Sequence, residues 1–268
     1  MREKIADFYE PLAAVYHLIF EDWDASIARQ AKVVDRLIRN ELGQAPLRIL
    51  DCACGIGTQA IGLAQLGHLL TASDVCDAAV ERAQKEAQQR GLTIAFHVSD
   101  MTGLREIEES GFDAVVALDN ALPHLEKDEL SAAVQTMAGK LRDSGLLLAS
   151  MRDYDKLILE RPSVQGPTFY GGVVDRRIVH QVWDWIAEDR YRVHMYITEK
   201  NGGAWRLHHF VGEYRAVLRN EVRDTLAEAG FDQIRWLMPE ESGFYQPLLV
   251  ARKQREQEAA GKRAERIG

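Results

Sequence analysis

The stretch Leu47-Arg48-Ile49-Leu50-Asp51-Cys52-Ala53-Cys54-Gly55-Ile56-Gly57-Thr58 decides how the chain is read. Leu47, Ile49 and Leu50 form a short apolar run of the kind that becomes a buried parallel strand. Asp51 closes it. The turn that follows, from Cys52 to Gly57, is built mostly of small residues, and a helical pattern starts near Thr58. Small residues let a ligand approach the backbone closely, and glycine adopts the positive φ values such a turn requires at little cost. Strand, glycine-rich turn and helix, in that order, predict a ligand seated on the turn.

Moving outward, residues 1–42 read as helical with a break near Glu10-Pro11. Leu12, Val15, Tyr16 and Ile19, then Val33, Val34, Leu37 and Ile38, recur at helical spacing. The intervening Phe20-Glu21-Asp22-Trp23-Asp24 either packs over a ligand pocket or staples the segment to the domain. After the central turn, helices are expected over 58–66, 77–90 and 127–141. They alternate with strands over 69–73, 93–98, 112–118 and 146–150, the last entered through a turn at Ser144-Gly145. From 152 to 215 the pattern changes. Strand-like runs at 173–174, 177–185 and 191–198 are separated by glycine-rich or acidic turns and read as an antiparallel insertion, too long to be a bare loop. A helix over 217–229 and two strands over 231–237 and 246–251, joined by a short loop, complete the pattern. The expected fold class is α/β, a doubly wound seven-stranded sheet with its last strand antiparallel, plus an inserted antiparallel β lid. The expected plan is a helical segment 1–42 covering the ligand site, a core made of 43–151 and 216–253, a lid over 152–215 and a charged tail over 254–268.

Composition narrows the partners. The formal net charge is −8, and an acidic surface argues against nucleic acid or an anionic membrane, both of which need a basic footprint. No apolar run approaches transmembrane length, and the acidic N-terminal residues do not read as a signal peptide. Cys52, Cys54 and Cys76 are an odd number of thiols, which suits a reducing cytoplasm. They read as small residues under a ligand loop, and no metal site is expected.

Gly55-Ile56-Gly57-Thr58-Gln59-Ala60 satisfies Gly-x-Gly-x-x-Gly/Ala, with Asp74 about 20 residues further on, as in a nicotinamide-binding fold. Three features favour a single nucleoside bearing an amino acid. A carboxylate at Asp51 would repel a pyrophosphate but favours an α-amino group. Asp74 suits the two ribose hydroxyls, and Asp100, closing strand three, can accept from the exocyclic amine of adenine. The chain also ends in a hairpin rather than in another βαβ unit. Each aspartate has a plainer reading as a turn or capping residue.

Across 47–150 the chain resembles class I S-adenosylmethionine-dependent methyltransferases. ILDCACGIGT is similar to their first motif, Asp74 to the acidic residue after strand two, and Ser99-Asp100-Met101 to the adenine segment. Two stretches resemble the glycine N-methyltransferase group more narrowly. These are Asp119-Asn120-Ala121-Leu122-Pro123-His124-Leu125, against Gly-Asn-Ser-Phe-Ala-His-Leu, and Met151-Arg152-Asp153-Tyr154-Asp155, against His-Arg-Asn-Tyr-Asp. The resemblance implies a Rossmann-like methyltransferase fold. It also implies S-adenosylmethionine held by Asp51, Ala53, Gly55, Gly57, Asp74, Val75, Asp100, Met101 and Leu118. Arg152 would grip a substrate carboxylate, and Asn120 would lie beside the methyl-transfer site, with Tyr154 shaping the pocket. His124 reads either as a base or as a packing residue, and Arg152 either as an anchor or as an ion-pair partner of Asp153 or Asp155. Asp119, Ala121 and Met151 depart from the family pattern, so the acceptor need not be glycine. The expected acceptor is a small molecule, with a carboxylate-bearing amine favoured. A phenol, thiol or natural-product nitrogen, a non-catalytic adenosylmethionine-binding protein and a nicotinamide oxidoreductase stay open, and oligomeric state is not implied. Tyr191, Tyr196 and Tyr214 read as core or lid packing. His208-His209, with no carboxylate at ligand spacing, reads as strand surface.

Overall fold

The computed structural model describes residues 2–44 and 46–255. Two N-terminal helices, α1 (Arg2–Ala13) and α2 (Trp23–Leu42), precede β1 (Arg48–Asp51) and α3 (Thr58–Gln65). Then come β2 (Leu69–Asp74), α4 (Asp77–Gln89), β3 (Ala95–Val98), β4 (Phe112–Ala117), α5 (Lys127–Lys140) and β5 (Leu141–Ser150). A helix α6 (Tyr154–Glu160) leads into β6 (Val164–Tyr170), β7 (Arg177–Trp185), β8 (Arg190–Asn201) and β9 (Ala204–Arg215). The chain closes with α7 (Arg219–Glu228), β10 (Phe231–Leu237), α8 (Pro239–Ser242) and β11 (Leu248–Lys253).

The large sheet has the order β10-β11-β5-β4-β1-β2-β3, so β1 is central between β4 and β2. All its strands are parallel except β11, which runs antiparallel to both β5 and β10. Alternation along each strand divides the core. Leu50, Val115 and Leu147 face α5, α7 and the small sheet, whereas Ile49, Val116 and Leu148 face α2 and α3. Gly62 allows α2 and α3 to touch, because a Cβ there would stand 2.5 Å from Ala31 Cβ and 2.8 Å from the Ile27 carbonyl. The small sheet β6-β7-β8-β9 is antiparallel throughout. Its inner face, with Trp183, Tyr191, Val193, Ile197, Phe210 and Tyr214, joins the same hydrophobic cluster as Leu50 and Leu147.

Several local expectations are corrected. Helix α1 passes through Pro11 instead of breaking there. A proline in the last turn forfeits only one helical N–H bond, and buried Phe8 and Leu12 hold this turn to the core. The break comes later, in a 3-10 turn at Tyr16–Ile19, and Asp22 then caps α2 by accepting from the Ala25 N–H at 2.9 Å. Trp23 is a staple, its indole N–H donating to Thr58 Oγ1 at 2.9 Å. Strand β5 starts at Leu141, and Ser144 (φ 58°) forms an irregularity within it rather than a turn before it. The first strand of the small sheet is Val164–Tyr170, whereas Val173 and Val174 lie in the following loop. Gly166-Pro167 disguises β6 as a turn, but proline is tolerated on an edge strand. Helix α6 is too short for its periodicity to show, and α8 occupies the expected short loop before β11. Beyond Arg255 the expected charged tail lies outside the described residues. Among the described residues no helix is long and apolar enough to cross a membrane.

Candidate active site

The C-terminal ends of β1, β2, β3 and β4 meet along one edge. Past β1 the chain turns sharply, with Gly55 at φ 51° and Gly57 at φ 91°. Asp74, at the end of β2, braces this turn. One carboxylate oxygen accepts from the Gly55 N–H at 2.9 Å and the other from the Cys76 N–H at 3.0 Å. Each oxygen keeps a second lone pair for an outside donor. Ala53, Gly55, Asp74, Val75, Asp100, Met101 and Leu118, all expected at the cofactor, line one common cavity, which Tyr9 and Tyr16 of the N-terminal segment also border. Asp51 and Gly57 stand behind its wall. Gly57 packs on Ile61 and Ala83. Asp51 is buried, accepts a long 3.4 Å bond from the Ala53 N–H, and has one oxygen without a partner. Burial pushes its carboxyl up to about 8. Asp100 forms a side-chain turn, Oδ1 accepting from the N–H and hydroxyl of Thr102, each at 2.9 Å.

These residues suit S-adenosylmethionine. The small-residue turn gives backbone approach, Asp74 gives acceptors for a vicinal diol, and Ile56, Val75 and Met101 give apolar walls for a base. The unpartnered oxygen under the turn is a spare acceptor where an ammonium group is expected, and an arriving cation favours its ionised form.

Beyond β4 the cavity adjoins a second cleft, and Asp119 borders both. Asp119 and Asn120 are consecutive left-handed residues, φ 57° and 69°. Such conformations persist only when their surroundings enforce them, and they cluster at functional sites. Ser150 enforces this pair: its hydroxyl accepts from the Asp119 N–H at 2.8 Å and its carbonyl from the Asn120 N–H at 3.0 Å. The Asp119 carboxylate accepts from Gln59 Nε2 at 2.7 Å and from the Tyr245 hydroxyl at 2.5 Å, and among the described residues it has no cationic partner. Burial pushes its pKa upward. Asn120 Oδ1 accepts from the Arg152 N–H at 3.1 Å and the Tyr154 hydroxyl at 3.0 Å, leaving its buried Nδ2 unpartnered.

Arg152 leaves the end of β5 and enters the second cleft. Its guanidinium donates to the Tyr191 hydroxyl at 2.7 Å and to Gln181 Oε1 at 3.2 Å. It also lies over the rings of Trp183 and Tyr214, 4.9 and 5.3 Å from their centroids. The alternative of an ion pair with Asp153 or Asp155 is excluded, because both carboxylates pair with Arg219, at 3.4 and 3.1 Å. Among the described residues no carboxylate forms an ion pair with Arg152. Removal from bulk water works against its charge, and Tyr191, Tyr154 and Tyr214 outweigh that effect, so its pKa is raised and the group stays cationic. His124 Nε2 pairs with the Tyr9 hydroxyl at 2.9 Å, and Tyr9 pairs in turn with Tyr214 at 3.2 Å. Burial, then the Arg152 charge, pushes the imidazole down to about 3, so it is neutral and weakly basic.

The structure thus brings Asn120, Arg152 and Tyr154 into direct contact and ties His124 to them through Tyr9 and Tyr214. Sequence reasoning did not single out Tyr9, Tyr16, Gln181, Trp183 or Tyr245 at the site, it named Asp119 only as a departure from the family pattern, and it read Tyr191 and Tyr214 as packing. The available signal was alternation: Trp183, Tyr191 and Tyr214 share the inward phase of their strands. Tyr196 has the opposite phase and faces outward. His208 does meet a carboxylate, Glu199 at 3.0 Å, which arrives from across the ladder and is invisible to linear spacing.

Comparison with known proteins agrees with this geometry. Residues 49–145 match the family model described as "Methyltransferase domain". The chain is 28% identical over 218 residues to the glycine/sarcosine N-methyltransferase of Parasynechococcus marenigrum (strain WH8102), covering 80% of this chain and 72% of that protein. It is 31% identical over 137 residues to the glycine N-methyltransferase of Homo sapiens, a match covering 46% of each chain. The crystal structure of an S-adenosylmethionine-dependent methyltransferase from Clostridium acetobutylicum ATCC 824 superimposes with a TM-score of 0.74 at 14% identity, covering 92% of this chain and 99% of that one. This last match speaks for the fold alone.

Proposed function

We propose that the chain, a class I S-adenosylmethionine-dependent methyltransferase resembling the glycine N-methyltransferase group, takes as its acceptor a small amine bearing a carboxylate, such as glycine, sarcosine or a longer amino acid. The observation that carries this reading is Arg152, a guanidinium that opens on the second cleft, is ringed by neutral hydroxyl, amide and aromatic groups, and has no anionic partner among the described residues. A cation kept in such surroundings is suited to an anion from outside, and guanidinium and carboxylate match in a two-bond fork. The glycine- and sarcosine-methylating relatives support the same acceptor class.

What the cofactor supplies is an electrophilic methyl group on a sulfonium. The chain's part is alignment, dryness and the acceptor's charge state. Arg152 holds the carboxylate and so fixes the amine at a set distance. Asp119, which borders both cavities, serves as counter-ion to the arriving ammonium, and Asn120, which borders the second cleft, as a neutral donor. The ammonium gives up its proton to water before transfer, and with His124 held neutral and weakly basic no strong base is built in. Orientation of this kind is worth about 7–11 kcal/mol. On this reading residues 1–42 cover the cofactor, residues 152–215 act as the substrate lid, and the core is 43–151 with 216–253. The three buried, unpaired thiols fit a reducing cytoplasm.

A panel of α-amino acids with labelled cofactor tests this reading, with mass spectrometry locating the added methyl. Methyl on nitrogen supports the proposal. Methyl only on the oxygen or sulfur of neutral acceptors would overturn it.

A further inference from the structure

Gln181 lies on β7 in phase with Trp183, on the inner face of the small sheet. It is half-buried and borders the second cleft beside Arg152. Its Oε1 accepts twice, from the Trp183 indole N–H at 2.9 Å and from Arg152 Nη2 at 3.2 Å. An indole N–H and a guanidinium can only donate. Both demand the amide oxygen, so the amide has one orientation, with Nε2 turned away from them. Among the described residues Nε2 has no hydrogen-bond partner and is not sealed from solvent. Asn120 repeats the pattern at the Arg152 backbone. Its Oδ1 is taken by two donors, the Arg152 N–H and the Tyr154 hydroxyl, and its buried Nδ2 has no partner. Proton counting orders the hydroxyls between them. Tyr154 gives its one proton to Asn120, so Tyr191 donates to Tyr154, and the Tyr191 oxygen accepts from Arg152 Nη1 at 2.7 Å. Both amide oxygens next to Arg152 are thus filled within the protein, and what the amides leave over is N–H.

We propose that Gln181 is the second half of the acceptor's carboxylate site: its Oε1 holds the Arg152 guanidinium in place, and its Nε2 donates to the carboxylate that Arg152 grips. The inference rests on the carboxylate reading above and adds a residue to it. A carboxylate only accepts and so matches a set of unspent N–H groups, whereas a carboxamide turns its own N–H2 toward one of them. The amide at position 181 also suits the task better than an acid would. A glutamate there would satisfy the same two donors more strongly, but it would cancel the charge on Arg152 and repel an incoming carboxylate. Glutamine fixes the arginine and leaves its charge unspent.

The isosteric Gln181→Glu tests it, because that change preserves both bonds to Oε1 and leaves a purely structural role intact. Initial rates are measured over a panel of α-amino acids, each beside its own carboxamide, at saturating S-adenosylmethionine, with thermal stabilisation by the cofactor as the control for folding. Wild type is expected to prefer the acids. In Gln181→Glu the KM for acids is expected to rise about a hundred-fold or more, with kcat within about threefold of wild type. The preference should pass to the carboxamides, whose N–H2 can donate to the introduced carboxylate. Gln181→Met, which removes both polar atoms, is expected to raise the acid KM about tenfold, the worth of one charge-assisted bond, and to keep a reduced preference for acids, since Arg152 retains its charge. A wild type that prefers acids, with acid KM unchanged in either folded variant, would overturn the role of Gln181 and leave the carboxylate reading standing. A wild type that does not distinguish acids from carboxamides would overturn that reading and this inference with it.

Discussion

Replacing Arg152 with methionine separates an anchoring role from a structural one. Methionine keeps much of the aliphatic length but removes the charge and five donors. If the guanidinium grips a carboxylate through two charge-assisted bonds, each worth about 1.5–3 kcal/mol, the loss is roughly 3–6 kcal/mol. That corresponds to about a hundred- to ten-thousand-fold lower kcat/KM, carried mainly by a higher acceptor KM. The effect on folding should be small. Arg152 has no ion-pair partner to leave behind, Tyr191 keeps its contact with the Tyr154 hydroxyl at 3.1 Å, and Trp183 stays stacked on Tyr191 at 4.5 Å. The melting temperature should stay within about 3 °C of wild type, roughly 1 kcal/mol for a chain of this size. Initial rates with varied acceptor at saturating cofactor, beside thermal stability with and without S-adenosylmethionine, read all three quantities. An unchanged acceptor KM, or a large fall in melting temperature with loss of cofactor binding, would refute the reasoning.

Three further changes probe other parts of the account. Asp51, pushed to about 8 by burial, is protonated in the free protein at neutral pH. Its contribution to stability is full below the ordinary carboxyl range and is lost as pH rises through about 8. A cationic cofactor favours the ionised form, so binding should release a proton and tighten toward pH 8, by up to about tenfold per unit; calorimetry should find that Asp51→Asn loses this slope, and equal slopes would contradict the assignment. Gly62→Ala places a Cβ against Ala31 and the Ile27 carbonyl and should cost about 1–3 kcal/mol of stability by thermal melt, by forcing α2 and α3 apart; an unchanged melting temperature would show that the crossing yields freely. Asp119→Asn removes the charge at the junction of the two cavities while keeping the side chain's size. Its acceptor KM should rise about tenfold or more for ammonium-bearing acceptors with cofactor affinity little changed, and an unaltered KM would remove Asp119 from the acceptor site.

What was legible in the sequence was what is local. The β1–turn–α3 unit shows because apolar run, small turn and helical period follow one another directly. The aspartates show because each ends a strand of a parallel sheet, where topology collects them. Pro11 misled because a proline is read as a break, while the fold places it in a final helical turn, and β6, which carries Gly166-Pro167 on a sheet edge, went unread. The proposed acceptor site was only half visible. Its motif residues, Asn120 and Arg152, sit at strand ends, but their partners come from α1, β7, β8 and β9. The Asp119 carboxylate is bonded to residues 60 and 126 positions away, a separation that no periodicity spans. The same holds for His208 and Glu199, which meet only once β8 and β9 pair.

The central claim, that Arg152 selects a carboxylate-bearing amine, is tested most directly by comparing an amino acid with its own amide. Rates of methyl transfer to the favoured amino acid and to its carboxamide, at saturating S-adenosylmethionine, isolate the carboxylate from every other feature of the acceptor. The account predicts that the acid is preferred by about a hundred-fold or more in kcat/KM, the worth of two charge-assisted bonds at the lower end of their range, and that Arg152→Met abolishes the preference. Equal rates for acid and amide in the wild-type protein would contradict it.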